Sequence, residues 1–212
     1  MRTVLPLYVH PLDAPTAWQA ERLGDVTVVV NVHDGPGKKP SAVYEVVLAQ
    51  LAEGGVPLLG YVDLAYVSRP LADILEEIER WAAYRVNGIF FHAAPTSPFG
   101  LGPVSMAIRV ARGFGLRDLI LNPGEPTDPV YRDLDVPICT FEGSWQDYQR
   151  WPPKGSQPGD GHLVYGVPTD KVDAARRLML LRHAGFGLAT DLDLPHPYAG
   201  LPASMGELSP TP

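Results

Sequence analysis

Short runs of apolar residues recur along the chain, and segments with a helical spacing of apolar positions lie between them. The runs are rich in Val, Leu, Ile, Phe and Tyr and are nearly continuous rather than alternating, which is typical of strands that are covered on both faces. This pattern predicts eight strands, at Val4–Val9, Val26–Asn31, Val56–Val62, Gly88–Phe91, Asp118–Asn122, Val136–Phe141, His162–Val167 and Gly185–Thr190.

The clearest helical segment is Leu71–Tyr84, whose apolar residues share one face while Glu76, Glu77 and Arg80 lie off it. Strands that alternate with helices along a whole chain indicate parallel βαβ units. Further helices are predicted at Ser41–Glu53, Leu101–Phe114 and Lys171–Ala184, with single helical turns near Asp128–Asp133 and Trp145–Tyr148.

Eight such strands predict an α/β fold, a compact (β/α)₈ barrel of the TIM type with some helices shortened, since 212 residues lie near the lower end of the size range for that fold. We expect a single barrel domain over residues 1–212, in which 206–212 form a short C-terminal tail. An open, doubly wound sheet is the alternative. It is disfavoured because Tyr8-Val9-His10-Pro11-Leu12 stands where a glycine-rich turn would follow the first strand.

Charge and composition exclude several classes of partner. The net charge is -7 and the 17 Lys and Arg residues are scattered, so no nucleic-acid partner is expected. No apolar run approaches the roughly 20 residues of a membrane helix. Pro6 and His10 interrupt any signal-peptide run at the start of this sequence, which predicts a cytoplasmic protein; a secreted protein trimmed of its leader is the alternative. No cofactor is predicted, because Gly35-Pro36-Gly37-Lys38-Lys39 has the wrong spacing for a phosphate-binding loop.

Polar and aromatic residues follow the predicted strands at their C-terminal ends, where barrels carry their active sites. Carboxylates that bind hydroxyls, together with aromatic faces that cover a ring, suit a sugar-like or other small polar ligand. The candidate catalytic residues are Glu142, Asp63 and His92, and the candidate substrate-binding residues are Tyr8, His10, Asn31, His33, Tyr61, Tyr66, Asn122, Tyr165 and Asp191.

Several of these residues have a structural interpretation as well. Asn31 and Asn122 stand beside turn residues that asparagine commonly stabilises, and Asp191 could cap a turn or a helix. Glu142 follows a strand that reads as buried, where an unpaired carboxylate is costly, and this favours a functional role. A metal site could be assembled from His10, His33, His92 and Asp63, but no ligand spacing supports it and no metal is predicted.

The strings at the strand ends, taken in order, resemble those of the spherulin 4 proteins, the spherulation-specific family 4. The resemblance runs from about residue 4 to residue 205. It rests on Leu5-Pro6-Leu7-Tyr8-Val9, Asn31 with Gly35-Pro36-Gly37, Gly60-Tyr61-Val62 with Arg69-Pro70, Gly88-Ile89-Phe90-Phe91, Asn122-Pro123-Gly124, Phe141-Glu142-Gly143, His162 to Pro168, and Thr190-Asp191 with Leu194-Pro195, Pro197-Tyr198 and Leu201-Pro202.

The resemblance implies a (β/α)₈ barrel related to glycoside hydrolases that cut galactosamine-containing polysaccharides. Members of the family carry Asp-Glu at the end of the fourth strand and a further Glu after the sixth. Glu142 matches the latter, but His92 and Ala93 stand at the Asp-Glu positions, and Asp63 replaces a small or hydroxyl residue. The ordinary polysaccharide activity is therefore expected to be absent or very weak, because glycoside hydrolysis normally needs two carboxyl groups.

Two hypotheses about function follow from this departure. In the first, Glu142, Asp63 and His92 form a rebuilt active site that performs acid/base chemistry on a sugar-like or other small polar substrate, since histidine titrates near neutral pH. In the second, the barrel is a degenerate hydrolase that only binds a carbohydrate or small-molecule ligand, which the loss of an acid at Ala93 favours. The sequence does not predict the oligomeric state.

Overall fold

Eight parallel β-strands, each formed from one of the apolar runs, make up the centre of the structure, a computed structural model that describes residues 1–206. Most of their residues are buried, as expected for strands that are covered by side chains inside the barrel and by helices outside it. The strands are β1 Arg2–Leu7, β2 Thr27–Val30, β3 Leu58–Asp63, β4 Gly88–His92, β5 Asp118–Asn122, β6 Cys139–Ser144, β7 Gly161–Tyr165 and β8 Phe186–Ala189.

The strands curl into a nearly closed barrel in the order β5-β4-β3-β2-β1-β8-β7-β6. β1 pairs with both β2 and β8, which excludes an open sheet with β1 at its edge. The two ends of the sheet meet at β5 and β6, where a single isolated bridge joins Leu121 to Ile138 and the Leu121 amide donates to the Pro137 carbonyl at 2.9 Å. The predicted (β/α)₈ barrel is therefore confirmed.

Four longer helices cover the outside of the barrel, and several connections contain only short helical turns, as predicted. No helix in residues 1–206 has the length and apolar character needed to span a membrane. The α-helices are α1 Ala20–Leu23, α2 Ala42–Glu53, α3 Leu71–Ala82, α4 Leu101–Gly113, α5 Trp145–Arg150, α6 Val172–Leu181 and α7 Ala203–Gly206, and the 3₁₀ turns are Pro15–Trp18, Ala65–Val67, Pro98–Gly100, Pro129–Leu134 and Thr169–Lys171.

Helix α3 shows how the helical layer is fixed to the barrel. Its buried face includes Ile74, Ile78 and Trp81. The Trp81 ring lies over Gly60 of β3, where an added Cβ atom would come within 2.3 Å of the ring. The Trp81 Nε1 also donates to the Tyr61 carbonyl at 2.8 Å. A glycine in the strand is therefore required for the indole to reach the sheet.

The observed β6 starts and ends three residues later than the sequence pattern predicts. Val136 is buried by its apolar surroundings, but the ladder with β7 begins at Cys139 and continues, after an irregularity, to Ser144. Glu142 therefore lies inside a strand rather than in the turn that follows it. The predicted tail 206–212 lies outside the described residues apart from Gly206, the last residue of α7.

Candidate active site

A cavity of about 300 Å³ opens at the C-terminal end of the barrel, where the active sites of such barrels lie. Apolar side chains form its floor, and polar and aromatic side chains from the strand ends form its walls. The lining residues are Pro6, Tyr8, Tyr61, Phe90, His92, Asn122, Glu142, Leu163, Pro195, His196, Pro197, Tyr198 and Ala199.

Glu142 is the carboxylate of this cavity, and both of its oxygens accept hydrogen bonds. Asn122 Nδ2 donates to Oε2 at 2.6 Å, and the Tyr198 hydroxyl donates to Oε1 at 2.7 Å. The Glu142 amide also donates to the Gly124 carbonyl at 3.1 Å, which holds the end of β6 against the loop after β5. These contacts fix the carboxylate in one orientation and satisfy it as an acceptor.

Three tyrosines surround this carboxylate. The Tyr8 ring lies between the rings of Tyr61 and Tyr198, edge to face with each at a centroid distance of 5.7 Å. Burial, and after it the negative charges nearby, which include Glu142, raise the pKa of all three phenols well above 10.0. They therefore remain protonated at neutral pH and act as hydrogen-bond donors towards Glu142 or a ligand.

His92 is close to Glu142, and the side chain of Asn122 lies between the two. The strand register pairs His92 with Asn122 on β5, and the imidazole stacks on Tyr61 at a centroid distance of 5.4 Å. The Asn122 Nδ2 is 3.5 Å from His92 Nδ1 and 2.6 Å from Glu142 Oε2, so these two atoms are no more than about 6 Å apart. An imidazole and a carboxylate thus share one cavity.

Asp63 is paired with His92 in the strand register but does not line this cavity. Its Oδ1 accepts a hydrogen bond from the Ala65 amide at 2.7 Å, so the carboxylate caps the turn after its own strand. Asp63 borders a neighbouring depression, which also includes Asp34, Tyr61, Arg69 and Glu77. The predicted pairing of Asp63 with Glu142 in a single cleft is not what the structure shows.

Tyr66 and Ala93 line a second cavity of about 300 Å³ that adjoins the first. The two cavities have His92, Asn122 and Glu142 in common. Tyr66 is 62% exposed and lies at the rim. Ala93, at one of the positions where the resemblance implies an acid, contributes only a methyl group.

Two of the other predicted binding residues are engaged in turns outside both cavities. Asn31 Oδ1 accepts a hydrogen bond from the Gly35 amide at 2.8 Å, so this asparagine stabilises the turn after β2. Asp191 Oδ1 accepts one from the Ala203 amide at 2.9 Å and ties the loop after β8 to the start of α7. The structural interpretation accounts for both side chains.

Three further predicted residues also lie outside the two cavities. The His10 Nδ1 accepts a hydrogen bond from the Leu12 amide at 3.2 Å, and its ring packs edge to face on Tyr44. His33 lines a separate depression beside α3. Burial, and then the charge of Glu142, raise the pKa of Tyr165, but this ring is not part of the cavity wall.

Tyr198 is the main site residue that was not identified as one from the sequence. The loop after β8 passes over the mouth of the barrel, where Pro195, His196, Pro197 and Ala199 form a wall with Tyr198. The Tyr8 amide donates to the Tyr198 carbonyl at 2.8 Å, which ties this loop to the end of β1. The string Pro197-Tyr198 was part of the family resemblance, and this was the one signal that could have identified it.

The cavity does not resemble a metal centre. Within residues 1–206, no group of three or more His, Cys, Asp or Glu side chains is arranged to hold a metal ion. Glu142 accepts its hydrogen bonds from the Asn122 amide and the Tyr198 phenol, and neither side chain is a usual metal ligand. The arrangement offers hydrogen-bond donors and acceptors that suit hydroxyl and amide groups.

Fold and site together define a TIM-type barrel with a small-molecule cavity, walled by aromatic residues, around one carboxylate. The model of the spherulation-specific family 4 matches residues 2–209, and the chain belongs to this family. The expectation drawn from the strand-end strings is thereby confirmed.

Two relatives illustrate the similarity. Spherulin-4 of Physarum polycephalum is 27% identical over an alignment of 151 residues. The match covers 67% of this chain and 45% of the relative, so the chain spans about half the length of that protein. The structure of Sph3 of Aspergillus clavatus in complex with GalNAc is similar with a TM-score of 0.82 and 27% identity, over 96% of this chain and 94% of Sph3.

Proposed function

We propose that this barrel binds an amino sugar in the cavity over Glu142 and acts on it by acid/base chemistry with Glu142 and His92. The observation that carries the proposal is the placement of an oriented carboxylate and an imidazole within about 6 Å of each other in one cavity. The similarity to Sph3, whose structure contains GalNAc, supports the class of ligand.

The separation of the two groups favours one type of glycoside hydrolysis. Retaining enzymes place their two catalytic groups roughly 5–5.5 Å apart, whereas inverting enzymes leave roughly 6.5–9.5 Å for a water molecule. An upper limit of about 6 Å between Glu142 Oε2 and His92 Nδ1 favours the retaining arrangement. Glu142 then acts as the nucleophile and protonated His92 as the acid.

The two steps of this mechanism conserve atoms and charge. A Glu142 oxygen forms a bond to the anomeric carbon while the glycosidic bond breaks, and the imidazolium gives its proton to the leaving oxygen. Neutral His92 then removes a proton from water, whose oxygen attacks the anomeric carbon and releases Glu142 as a carboxylate. The amide of Asn122 and the hydroxyl of Tyr198 hold the nucleophile in place throughout.

A second candidate function is binding without catalysis. Two observations favour it: Ala93 supplies no acid, and the carboxylate of Asp63 is occupied as the cap of the turn at Ala65. In this case the same cavity binds the amino sugar, but no proton is transferred to a leaving group.

The test combines calorimetric titration with GalNAc and an assay of aryl N-acetylgalactosaminide hydrolysis, on the parent protein and on Glu142→Gln and His92→Gln. We expect the parent to bind and to hydrolyse, and each variant to bind while turnover falls by about 10²–10⁴-fold. The matched control is Glu21→Gln on the exposed side of α1, which should change neither quantity.

The outcomes separate the two candidates. Binding of GalNAc without hydrolysis by the parent protein, across aryl α- and β-glycosides, would establish the non-catalytic function. No binding of GalNAc by the parent protein overturns the proposal itself. Turnover that survives Glu142→Gln unchanged refutes the role of the carboxylate.

A further inference from the structure

Two junctions in the wall of the barrel are weaker than the rest. The ladder between β1 and β8 ends after the pair formed by Thr3 and Gly187, although both strands continue. Between β5 and β6, the described residues form one isolated bridge, from Leu121 to Ile138. The ladders β6–β7 and β7–β8, in contrast, run along most of these strands. Because ladder hydrogen bonds hold parallel strands together, β6, β7 and β8 form a unit that is joined weakly to the other five strands.

These three strands also have a hydrophobic cluster of their own, the second cluster, which they form with α5 and α6. Its buried members are Phe141, Tyr148, Val164, Val167, Val172, Ala175, Met179, Ala184 and Ala189. It is separate from the main core, the larger cluster that includes residues of all the other strands and also Leu163 and Phe186. A segment with its own cluster and with weak junctions is expected to lose its structure as one cooperative unit.

The boundary of this unit passes through the cavity around Glu142. Glu142 stands on β6, whereas His92 and Asn122 stand on β4 and β5. At the rim, the hydrogen bond from Asn122 Nδ2 to Glu142 Oε2 crosses the β5–β6 junction. Near the start of β7, the ion pair between Arg132 and Asp160 joins the unit to the segment that precedes it. Individual side-chain contacts therefore close this junction, and its separation takes Glu142 away from His92.

We propose that residues 139–189, the three-strand unit, unfold and refold as a gate while the rest of the barrel stays folded, and that only the closed unit brings Glu142 to His92. Parallel sheets are stable where both faces are covered, so strands that leave the barrel lose their own ladders too. Regions that bind ligands are drawn from the less stable parts of a fold. A ligand that contacts both Glu142 and His92 binds the closed form and shifts the population towards it. The gate belongs to the fold, whichever ligand the cavity binds.

The experiment is native-state hydrogen exchange, followed by NMR at low urea concentrations and neutral pH, on the parent protein, Val172→Ala and Val104→Ala. The substitutions are matched, because both valines are buried in helices, Val172 of α6 in the second cluster and Val104 of α4 in the main core. In the parent protein, amides in β6, β7 and β8 should share one opening equilibrium constant. That constant should be at least about tenfold larger than the one for amides in β3.

Two amides report on the cavity itself. The Glu142 amide donates to the Gly124 carbonyl across the β5–β6 junction, so it should exchange with the amides of β7. The Leu64 amide donates to the His92 carbonyl on the other side of the cavity, so it should exchange with those of β3. A Glu142 amide that exchanges with β3 instead refutes the gate, because the carboxylate then stays in place.

The two variants separate partial from global unfolding. Val104→Ala weakens only the part that stays folded, so it should lower the protection of β3 about tenfold and leave that of β7 unchanged. Val172→Ala weakens the unit that is unfolded in both the partial and the global opening, so protection should fall about tenfold in β3 and β7 alike. Equal losses in β7 from both variants, unchanged β7 protection in Val172→Ala, or unrelated opening constants in β6, β7 and β8 overturn the gate. No sugar is used, so such a failure leaves the proposed function standing.

Discussion

Acidification should destabilise this barrel through one buried histidine that lies outside the cavity around Glu142. His162 on β7 is completely buried, and its Nδ1 lies 2.7 Å from the Tyr148 hydroxyl of α5. Its Nε2 is buried without a hydrogen-bond partner. Burial lowers the pKa of His162 from 6.5 to about 4, against an opposing effect of Asp160 and with a small contribution from Arg182.

The sign of the effect follows from proton binding. Between pH 6.5 and pH 4 the unfolded chain has a protonated histidine at this position while the folded protein keeps a neutral one. The unfolded state therefore binds more protons, and the free energy of unfolding increases with pH. The stability is present in full above pH 6.5 and is lost progressively as the pH falls towards 4.

The magnitude follows from the two pKa values. A difference between 6.5 and about 4 corresponds to about 3 kcal/mol, at roughly 1.4 kcal/mol for each pH unit. Domains of this kind are stable by about 5–15 kcal/mol, so the loss is a large part of the total.

The assay is urea denaturation followed by tryptophan fluorescence at several values between pH 4 and pH 8, on the parent protein and on His162→Gln. Carboxyl groups also titrate in this range, so the informative quantity is the difference in free energy of unfolding between the two proteins. The free energy of unfolding of the parent protein, minus that of His162→Gln, should become about 3 kcal/mol smaller between pH 7 and pH 4. His33→Gln, at an exposed histidine, is the control and should follow the parent protein. Parallel curves for the parent and His162→Gln would refute the reasoning.

Three substitutions test, in turn, the packing of a helix on the sheet, a strained backbone position and a buried ion pair. Gly60→Ala places a Cβ atom 2.3 Å from the Trp81 ring and should lower the free energy of unfolding by about 1–3 kcal/mol; an unchanged urea midpoint would contradict this close approach. Ala93→Gly removes a side chain from a residue with φ of 47° and should raise the free energy of unfolding by roughly 0.5–1 kcal/mol, whereas a lower Tm would argue against strain there. Asp160→Asn leaves Arg132 without its partner carboxylate, which is 4% exposed and 2.5 Å away, and should cost about 3 kcal/mol; a loss below 1 kcal/mol in urea denaturation would show that the pair contributes little.

The predicted site residues that line the main cavity are those whose position depends on strand direction alone. Tyr8, Tyr61, His92, Asn122 and Glu142 all lie at or near the ends of parallel strands. In a barrel these ends lie at one rim, and inward-facing positions alternate along each strand. A local pattern was therefore sufficient to predict that these side chains meet.

Other residues at the same rim are directed elsewhere by short loops. Asp63 ends β3 and Asn31 comes directly after β2, yet each accepts a hydrogen bond from a backbone amide of the next turn. Asp and Asn side chains compete for such local contacts, and the outcome depends on the conformation of the loop. Sequence spacing does not reveal whether such a side chain bonds to its own loop or faces the cavity.

The sequence by itself determined the alternation of strands and helices, and with it the barrel, because strand and helix periodicities are local properties of the chain. Only the tertiary structure decided which groups surround Glu142. Tyr198 reaches Glu142 across 56 residues of chain, after the loop that follows β8 has passed over the barrel mouth. A contact of that kind depends on how distant loops pack together, and no spacing of residues along the sequence encodes it.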